Sequence, residues 1–141
     1  MRQLLQTTLL LIATIFASYL SAETLTVVID NVETADGFVM LRILQGEAEF
    51  KGEREAITSI QQRAVEGSIT FSVSNLPDGE YAIQVMHDRN GNGKLDSNFV
   101  GIPSEPWAFS NNATGNMGPP KWDEVKFALT GEATQSIHFN H

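Results

Sequence analysis

The chain has 141 residues, which suits one domain of ordinary size, and its composition of 42% hydrophobic and 18% charged residues excludes a disordered chain or a coiled coil. Nine Lys and Arg face seventeen Asp and Glu, a net charge of -8, so nucleic acid is excluded as a partner. The absence of cysteine excludes disulfides, thiolate metal sites, a cysteine nucleophile and a lipoprotein anchor.

Residues 1–22 have the pattern of a secretory signal peptide. Arg2 precedes a short apolar run, and small residues end the segment at Ala22. A transmembrane helix is the alternative, but the apolar run is short and lacks a basic stop-transfer flank after it. We therefore expect cleavage after Ala22 and a mature chain of residues 23–141 that is periplasmic or secreted. The sequence contains no later apolar run that could span a bilayer, so no membrane insertion of that chain is expected.

The mature chain alternates apolar and polar residues with a period of two, which is typical of strands with one buried face. These runs cover residues 24–29, 38–44, 68–74, 81–85, 125–129 and 137–139. Gly-containing turn signals separate them. The pattern predicts an all-β fold, an antiparallel immunoglobulin- or prealbumin-like β-sandwich of about seven strands. The polar, mixed composition of residues 47–63 predicts a short helix or a loop that crosses between the sheets.

One long segment, residues 97–122, is rich in Pro, Gly and Asn and is predicted to be a loop. A loop of this length is usually functional or disordered, and its large aromatic side chains argue against disorder. It is therefore either a flap that caps the core or a binding surface. In the second interpretation Trp107, Phe109 and Trp122 contact the ligand.

The segment after Met86 resembles the first half of an EF-hand calcium loop. The ligand positions are occupied by Asp88, Asn90, Asn92 and Asp96, with the carbonyl of Lys94 at the seventh position. Gly93 supplies the sharp turn. The pattern predicts a Ca²⁺ site.

The twelfth position of that loop should be a bidentate acid, but it is Phe99, and Glu105 is the nearest acid beyond it. With two formal negative charges the expected Kd is on the order of 10⁻⁴–10⁻³ M. The alternative is an Asx-rich turn whose side chains bond their own backbone and hold no metal.

Catalytic signals are sparse. His87 lies in phase with the apolar residues of the strand before it, which favours a buried, hydrogen-bonded histidine over a catalytic base. The sequence contains no nucleophile elbow, Walker loop or dinucleotide fingerprint. We expect no catalytic residues, and a small hydrolase is the alternative.

Two segments carry a resemblance to known families. Residues 76–81, Leu-Pro-Asp-Gly-Glu-Tyr, are similar to a strand of transthyretin-like and carboxypeptidase-regulatory-like sandwiches. The stretch from His87 to Trp122 resembles the signature of a bacterial family known as domain of unknown function 2141. The resemblance implies an exported prealbumin-like sandwich with a His-Asp-x-Asn-x-Asn-Gly loop and an Asn-Asn-Ala flap, and it implies no established activity.

Two hypotheses of function follow. In the first, a non-enzymatic exported module presents the calcium loop and the aromatic residues to an envelope ligand or a protein partner. In the second, the chain is a small hydrolase of the transthyretin-like ureide hydrolase type, with His87 as the base and Asp88 as its orienter or a metal ligand.

Overall fold

The computed structural model describes residues 23–140, so the predicted signal peptide and His141 lie outside the described residues. This part of the chain forms the strands β1 Glu23–Val32, β2 Phe38–Gln45, β3 Thr58–Arg63, β4 Gly67–Leu76, β5 Gly79–Asp88, β6 Trp107–Phe109, β7 Phe127–Leu129 and β8 Glu132–His138. Two single-turn helices, α1 Glu47–Phe50 and α2 Trp122–Val125, and a 3-10 turn at Ser110–Asn112 complete it. Within residues 23–140, no helix has the length and apolar character needed to cross a membrane.

The strands form two sheets, which confirms the predicted all-β sandwich. The first sheet has the order β4-β1-β8, and the second has the order β3-β2-β5-β6, with β7 also paired to β5. All pairs are antiparallel except β1 and β8, which are parallel. The strand that precedes β8, β7, belongs to the second sheet. Because no hairpin joins β8 to β1, the connection does not require the two strands to be antiparallel.

The main core lies between the two sheets. Alternating residues of β1 point into it, namely Leu25, Val27 and Ile29, and the inward residues of β2 and β5 face them. Tyr81 is fully buried there, and its hydroxyl donates a hydrogen bond of 2.6 Å to the carbonyl of Pro77. The period-two pattern of the sequence therefore identifies correctly which face of these strands is buried in the core.

Two edge strands were not predicted. The strand β3 is polar along most of its length, because only Ile60 packs against the core. The strand β6 lies inside residues 97–122, which were predicted to be a loop, and it begins directly after Pro106. Proline is compatible with an edge strand because no neighbouring strand needs its missing N–H group there.

A second apolar cluster covers part of the outer face of the five-stranded sheet. Leu44 of β2 and Ala82 of β5 are opposite each other in the register and are fully buried by Val125 of α2. Phe50 of α1 and Trp122 of α2 pack against this cluster from outside. The two short helices therefore close one half of the outer face, which we call the closed half.

Candidate functional site

The other half of the outer face is open and forms the floor of a cleft of about 1210 Å³. Its apolar row crosses three strands, since Met86 of β5 pairs with Met40 of β2 on one side and with Trp107 of β6 on the other. The next row, on the side of the closed half, is polar on three strands, since Arg42 pairs with Gln84 and with Ser59, and it ends at Phe109 on β6. We call this half, with its cleft, the open half.

The walls of the cleft come from the long segment between β5 and α2. Leu95 and Ile102 line one side, and Met117 and Pro119 also contribute to the lining. Ile102 is more than half exposed and Met117 is fully exposed. Apolar side chains that are organised around a concave surface and left in water are typical of a binding site.

The charge of the cleft is opposite to that of the chain. Arg42 on the floor and Lys94 on the wall line it, and none of the described lining residues is an acid. The Arg42 Nη1 atom donates a hydrogen bond of 3.1 Å to Oε1 of Gln84, a neutral partner. The cleft therefore has a locally positive character in a chain with a net charge of -8.

The aromatic residues predicted to contact a ligand fall into two groups. Trp107 and Phe109 line the cleft, and their ring centroids are 5.6 Å apart in an edge-to-face arrangement. Trp122 does not line it; its ring lies 6.0 Å from that of Phe50, at the closed half. The backbone of Trp107 pairs with β5 and also with Asn140, so its side chain is held in a defined position on the floor.

The predicted calcium loop begins at the end of β5 with Asp88, which is buried. Its two carboxylate oxygens accept hydrogen bonds from the backbone N–H groups of Asn92 (3.1 Å) and Gly93 (2.7 Å). Gly37, with φ +65°, packs directly against the backbone carbonyl of Asp88. A side chain at position 37 would overlap that carbonyl, so the turn between β1 and β2 fixes where the loop starts.

The remaining predicted ligands converge on Asp96. The amide nitrogens of Asn90 and Asn92 donate hydrogen bonds to its carboxylate at 2.6 to 3.0 Å. The Asn92 side-chain oxygen accepts from the N–H of Lys94 at 2.9 Å. The loop thus brings four predicted oxygen-bearing side chains, those of Asp88, Asn90, Asn92 and Asp96, into one hydrogen-bonded cluster. Lys94 itself is one of the residues that line the cleft.

Glu105 closes this loop. Its Oε1 accepts from the N–H of Arg89 at 2.8 Å and its Oε2 from the N–H of Asp96 at 3.0 Å, so both oxygens bond to the loop backbone. Within residues 23–140, no group of three or more His, Cys, Asp or Glu side chains is arranged to hold a metal ion. Besides the carboxylates of Asp88 and Asp96, a cation in the loop would therefore need the side-chain oxygens of the asparagines and a backbone carbonyl.

His87 has no exposed surface and lies between the sheets. Its Nε2–H donates to the carbonyl of Asp36 at 2.8 Å, and its ring stacks on Phe139 with centroids 6.0 Å apart. The described residues provide no hydrogen-bond partner for its Nδ1 atom. This histidine faces away from the cleft and from the carboxylate of Asp88.

A small hairpin, closed by the bridge between Ser97 and Pro103, follows the loop. Asn98 holds it, because its side-chain oxygen accepts from the N–H groups of both Val100 and Ile102 at 3.0 Å. The apex presents Phe99, which is fully exposed, and Val100, which is 62% exposed. Phe99 occupies the position where an EF-hand loop has its bidentate acid, and it points into solvent.

The sequence interpretation missed the methionines of the floor and the apolar residues of the walls. The signal for the floor was the run from Phe38 to Leu41, which is apolar on both faces of the strand. Such a run indicates that both faces of the sheet are either buried by other segments or available to bind a ligand. For Ile102 and Met117 the sequence offers only single apolar residues in a Gly- and Pro-rich segment, a weak signal.

Comparison with known proteins identifies the family. The family model described as "Uncharacterized protein conserved in bacteria (DUF2141)" matches residues 27–138, which confirms the resemblance found in the sequence. The fold and the match together place the chain among bacterial all-β sandwich proteins, and it belongs to this family. Neither a curated protein nor a solved structure gives a match. The transthyretin-like relationship therefore stays a prediction.

Proposed function

We propose that this protein is an exported, non-enzymatic binding module whose open half holds an apolar ligand. One observation carries the proposal: both halves of the same sheet face have apolar residues at their centre, but within residues 23–140 the chain buries them in only one half. Binding sites for small molecules are typically apolar clefts of about 300–1,000 Å³ with a few polar groups, and this cleft is of that order.

Export is supported by the composition of residues 1–22, in which a basic start, a short apolar run and a small-residue end follow one another. We expect signal peptidase to cleave after Ala22 and the mature chain to be periplasmic or secreted. Mass determination of the protein isolated from a bacterial periplasm checks the site, because cleavage there makes Glu23 the first residue. A mass that includes residues 1–22 would contradict this part of the proposal.

The binding experiment uses a neutral apolar fluorophore, N-phenyl-1-naphthylamine, so that charge plays no part. We expect saturable fluorescence enhancement with one site on the mature chain. The variant Met86→Glu places an acid on the cleft floor and should abolish the enhancement. The matched control Thr70→Glu adds the same acid on an exposed position of β4 in the other sheet and should leave it intact. No enhancement, or equal enhancement in both variants, overturns the proposal.

A second part of the proposal concerns the loop, which we infer binds Ca²⁺ with a Kd on the order of 10⁻⁴–10⁻³ M. The support is the convergence of Asp88, Asn90, Asn92 and Asp96. The cation would replace the bonds from the two asparagine amides to Asp96, with the Lys94 carbonyl and water as further ligands. The acidic balance of the chain also favours a divalent cation.

Calcium binding is tested by thermal unfolding. With a Kd of about 1 mM, 10 mM Ca²⁺ should stabilise the folded state by about 1.4 kcal/mol, and a chelator should reverse the gain. The variant Asp96→Asn should remove most of the gain, whereas Asp123→Asn, an exposed acid outside the loop, should retain it. An unfolding temperature that Ca²⁺ does not change shows an Asx turn without a metal.

The hydrolase alternative has less support. A general base must reach its substrate, but His87 is fully buried, bonds to a backbone carbonyl and stacks on Phe139. Asp88 accepts backbone N–H groups of the loop and does not orient the imidazole. A set of ureide substrates with no turnover is therefore expected, and turnover that is lost in His87→Ala would support the hydrolase instead.

A further inference from the structure

We infer that the ligand of the open half is a single-chain anionic amphiphile, namely a long-chain carboxylate. This inference rests on the proposed binding function and specifies its ligand. It requires three features of the same cleft: an apolar track for the chain, a cation for the head, and an absence of acids that would repel the head. The described part of the molecule provides all three.

The cation is Arg42. Three other cations are paired with acids: Lys51 with Glu47 at 2.7 Å, Arg89 with Glu33 at 3.0 Å, and Lys126 with Asp123 at 2.9 Å. Within residues 23–140 the guanidinium of Arg42 makes no ion pair, and its hydrogen bond to neutral Gln84 uses one of its five N–H donors. The remaining donors can bind both oxygens of one carboxylate in a fork, a short and charge-assisted interaction.

The second cation, Lys94, lies on the wall of the same cleft and also makes no ion pair within the described residues. The described lining of the cleft contains two cations and no acid, although the chain has nine Lys and Arg against seventeen Asp and Glu. The charge pattern therefore complements an anion and disfavours a cationic or neutral polar ligand.

The apolar track is the row Met40, Met86 and Trp107, which runs across three strands next to the row of Arg42 and Gln84. Methionine side chains are unbranched and adaptable, and they suit a flexible hydrocarbon chain better than a rigid ring system. The polar and apolar rows are neighbours on one sheet face. A ligand with a carboxylate at one end and a chain at the other can thus bind both rows together.

The test uses Trp107 as the reporter, since the whole sequence contains two tryptophans. The variant Trp122→Phe leaves Trp107 alone on the cleft floor, and the mature form of this variant is titrated with decanoate and with 1-decanol below their aggregation concentrations. We expect a change of tryptophan emission with both compounds and an affinity about tenfold higher for decanoate. In the series octanoate, decanoate and dodecanoate, each methylene that becomes buried should tighten the Kd about fourfold.

The head preference should depend on Arg42. In the same background, Arg42→Gln should bring decanoate to the affinity of 1-decanol and leave 1-decanol unchanged. The matched control Arg54→Gln removes an exposed cation that does not line the cleft and should preserve the preference. A second reporter control, Trp107→Phe, leaves only Trp122, whose emission should not respond because that residue lies on the closed half.

Each outcome separates the inference from the proposed function. Equal affinity for decanoate and 1-decanol overturns the anionic amphiphile but leaves an apolar binding module. A preference for decanoate that survives Arg42→Gln also overturns the inference, because the head then binds elsewhere. If neither compound nor the neutral fluorophore binds, both the inference and the proposed function are wrong. If the protein binds only to lipid vesicles, its exposed apolar residues contact a membrane surface, and the inference is overturned as well.

Discussion

The closed and open halves of the outer sheet face differ in what covers them, although both are built on β2 and β5. In the closed half, Leu44 and Ala82 are fully buried under Val125. In the open half, Met40 lies four residues before Leu44 on β2 and Met86 four residues after Ala82 on β5, and both are only partly buried. Apolar residues on a sheet face therefore do not distinguish a core from a site, and the covering segment decides between them.

The difference also explains why the two tryptophans have separate roles. Trp122 belongs to α2 and packs on Phe50, so it contributes to the cover of the closed half. Trp107 belongs to the sheet itself and has the cleft above it. Both residues are large aromatic side chains in the same Pro- and Gly-rich region, and only their place in the fold separates them.

The largest expected effect compares truncations in the two halves. Leu44→Ala removes a fully buried side chain and should lower the free energy of unfolding by about 2–5 kcal/mol. Met86→Ala removes a side chain that faces an open cleft, and the loss should be at most about 1 kcal/mol. Urea unfolding of both mature variants measures the difference. Equal losses would mean that the open half is packed in solution as the closed half is.

A smaller effect is expected from the turn that positions the wall of the open half. In Gly37→Ala the new methyl group would overlap the backbone carbonyl of Asp88, and the residue must also keep φ +65°. The free energy of unfolding should fall by more than about 1 kcal/mol.

The matched control for that turn is Gly52→Ala. Gly52 has a similar φ of +76°, but a methyl group there meets nothing within 4 Å. The excess loss in Gly37→Ala therefore reports the close approach to Asp88, and the fluorophore should bind more weakly to that variant because the loop begins there. Equal losses in the two variants would show that the contact with Asp88 is unimportant.

The smallest expected effect concerns the carboxyl pair of Asp78 and Glu23. This pair lies in neither half of the outer sheet face, so it serves as a reference for both. A hydrogen bond with Glu23 raises the pKa of Asp78, with desolvation and the charge of Glu23 adding to the rise. A carboxyl with a raised pKa in the folded state stabilises the fold at acid pH, and this contribution is lost as the pH rises through the raised value. At neutral pH the two carboxylates repel each other.

Asp78→Asn removes one charge of this pair and keeps a donor for Glu23. The unfolding temperature should rise at pH 7, and the gain should shrink as the pH falls below the ordinary carboxyl pKa of about 3.9. Thermal unfolding between pH 3 and pH 8 measures this dependence. Affinity for the fluorophore should stay the same, and a constant gain at every pH would contradict the role of the pair.

The inner faces of the sheets were predictable from the sequence, because strict alternation such as Leu25, Val27 and Ile29 marks one buried side. The convergence of Asp88, Asn90 and Asp96 was also predictable, since alternating Asx residues with Gly93 define a tight loop. Local residue patterns determine both features.

The cleft was not predictable, because it depends on contacts between distant segments. Met40 and Met86 are 46 positions apart and meet only through the register of β2 and β5. Trp107 reaches the same row because a short edge strand forms in a region that resembles a loop. A period-two pattern assigns these residues to the outer face and contains no information on whether another segment covers them.

The parallel pairing of β1 with β8 has a consequence for how the chain acquires its fold. The first strand, Glu23–Val32, is a central strand, and one of its two neighbours is the last strand, Glu132–His138. A ribosome-bound chain that has not yet released residues 132–138 therefore exposes an unpaired edge of β1 and cannot complete its first sheet. Any tag or truncation that disturbs residues 132–138 acts directly on β1, at the opposite end of the sequence.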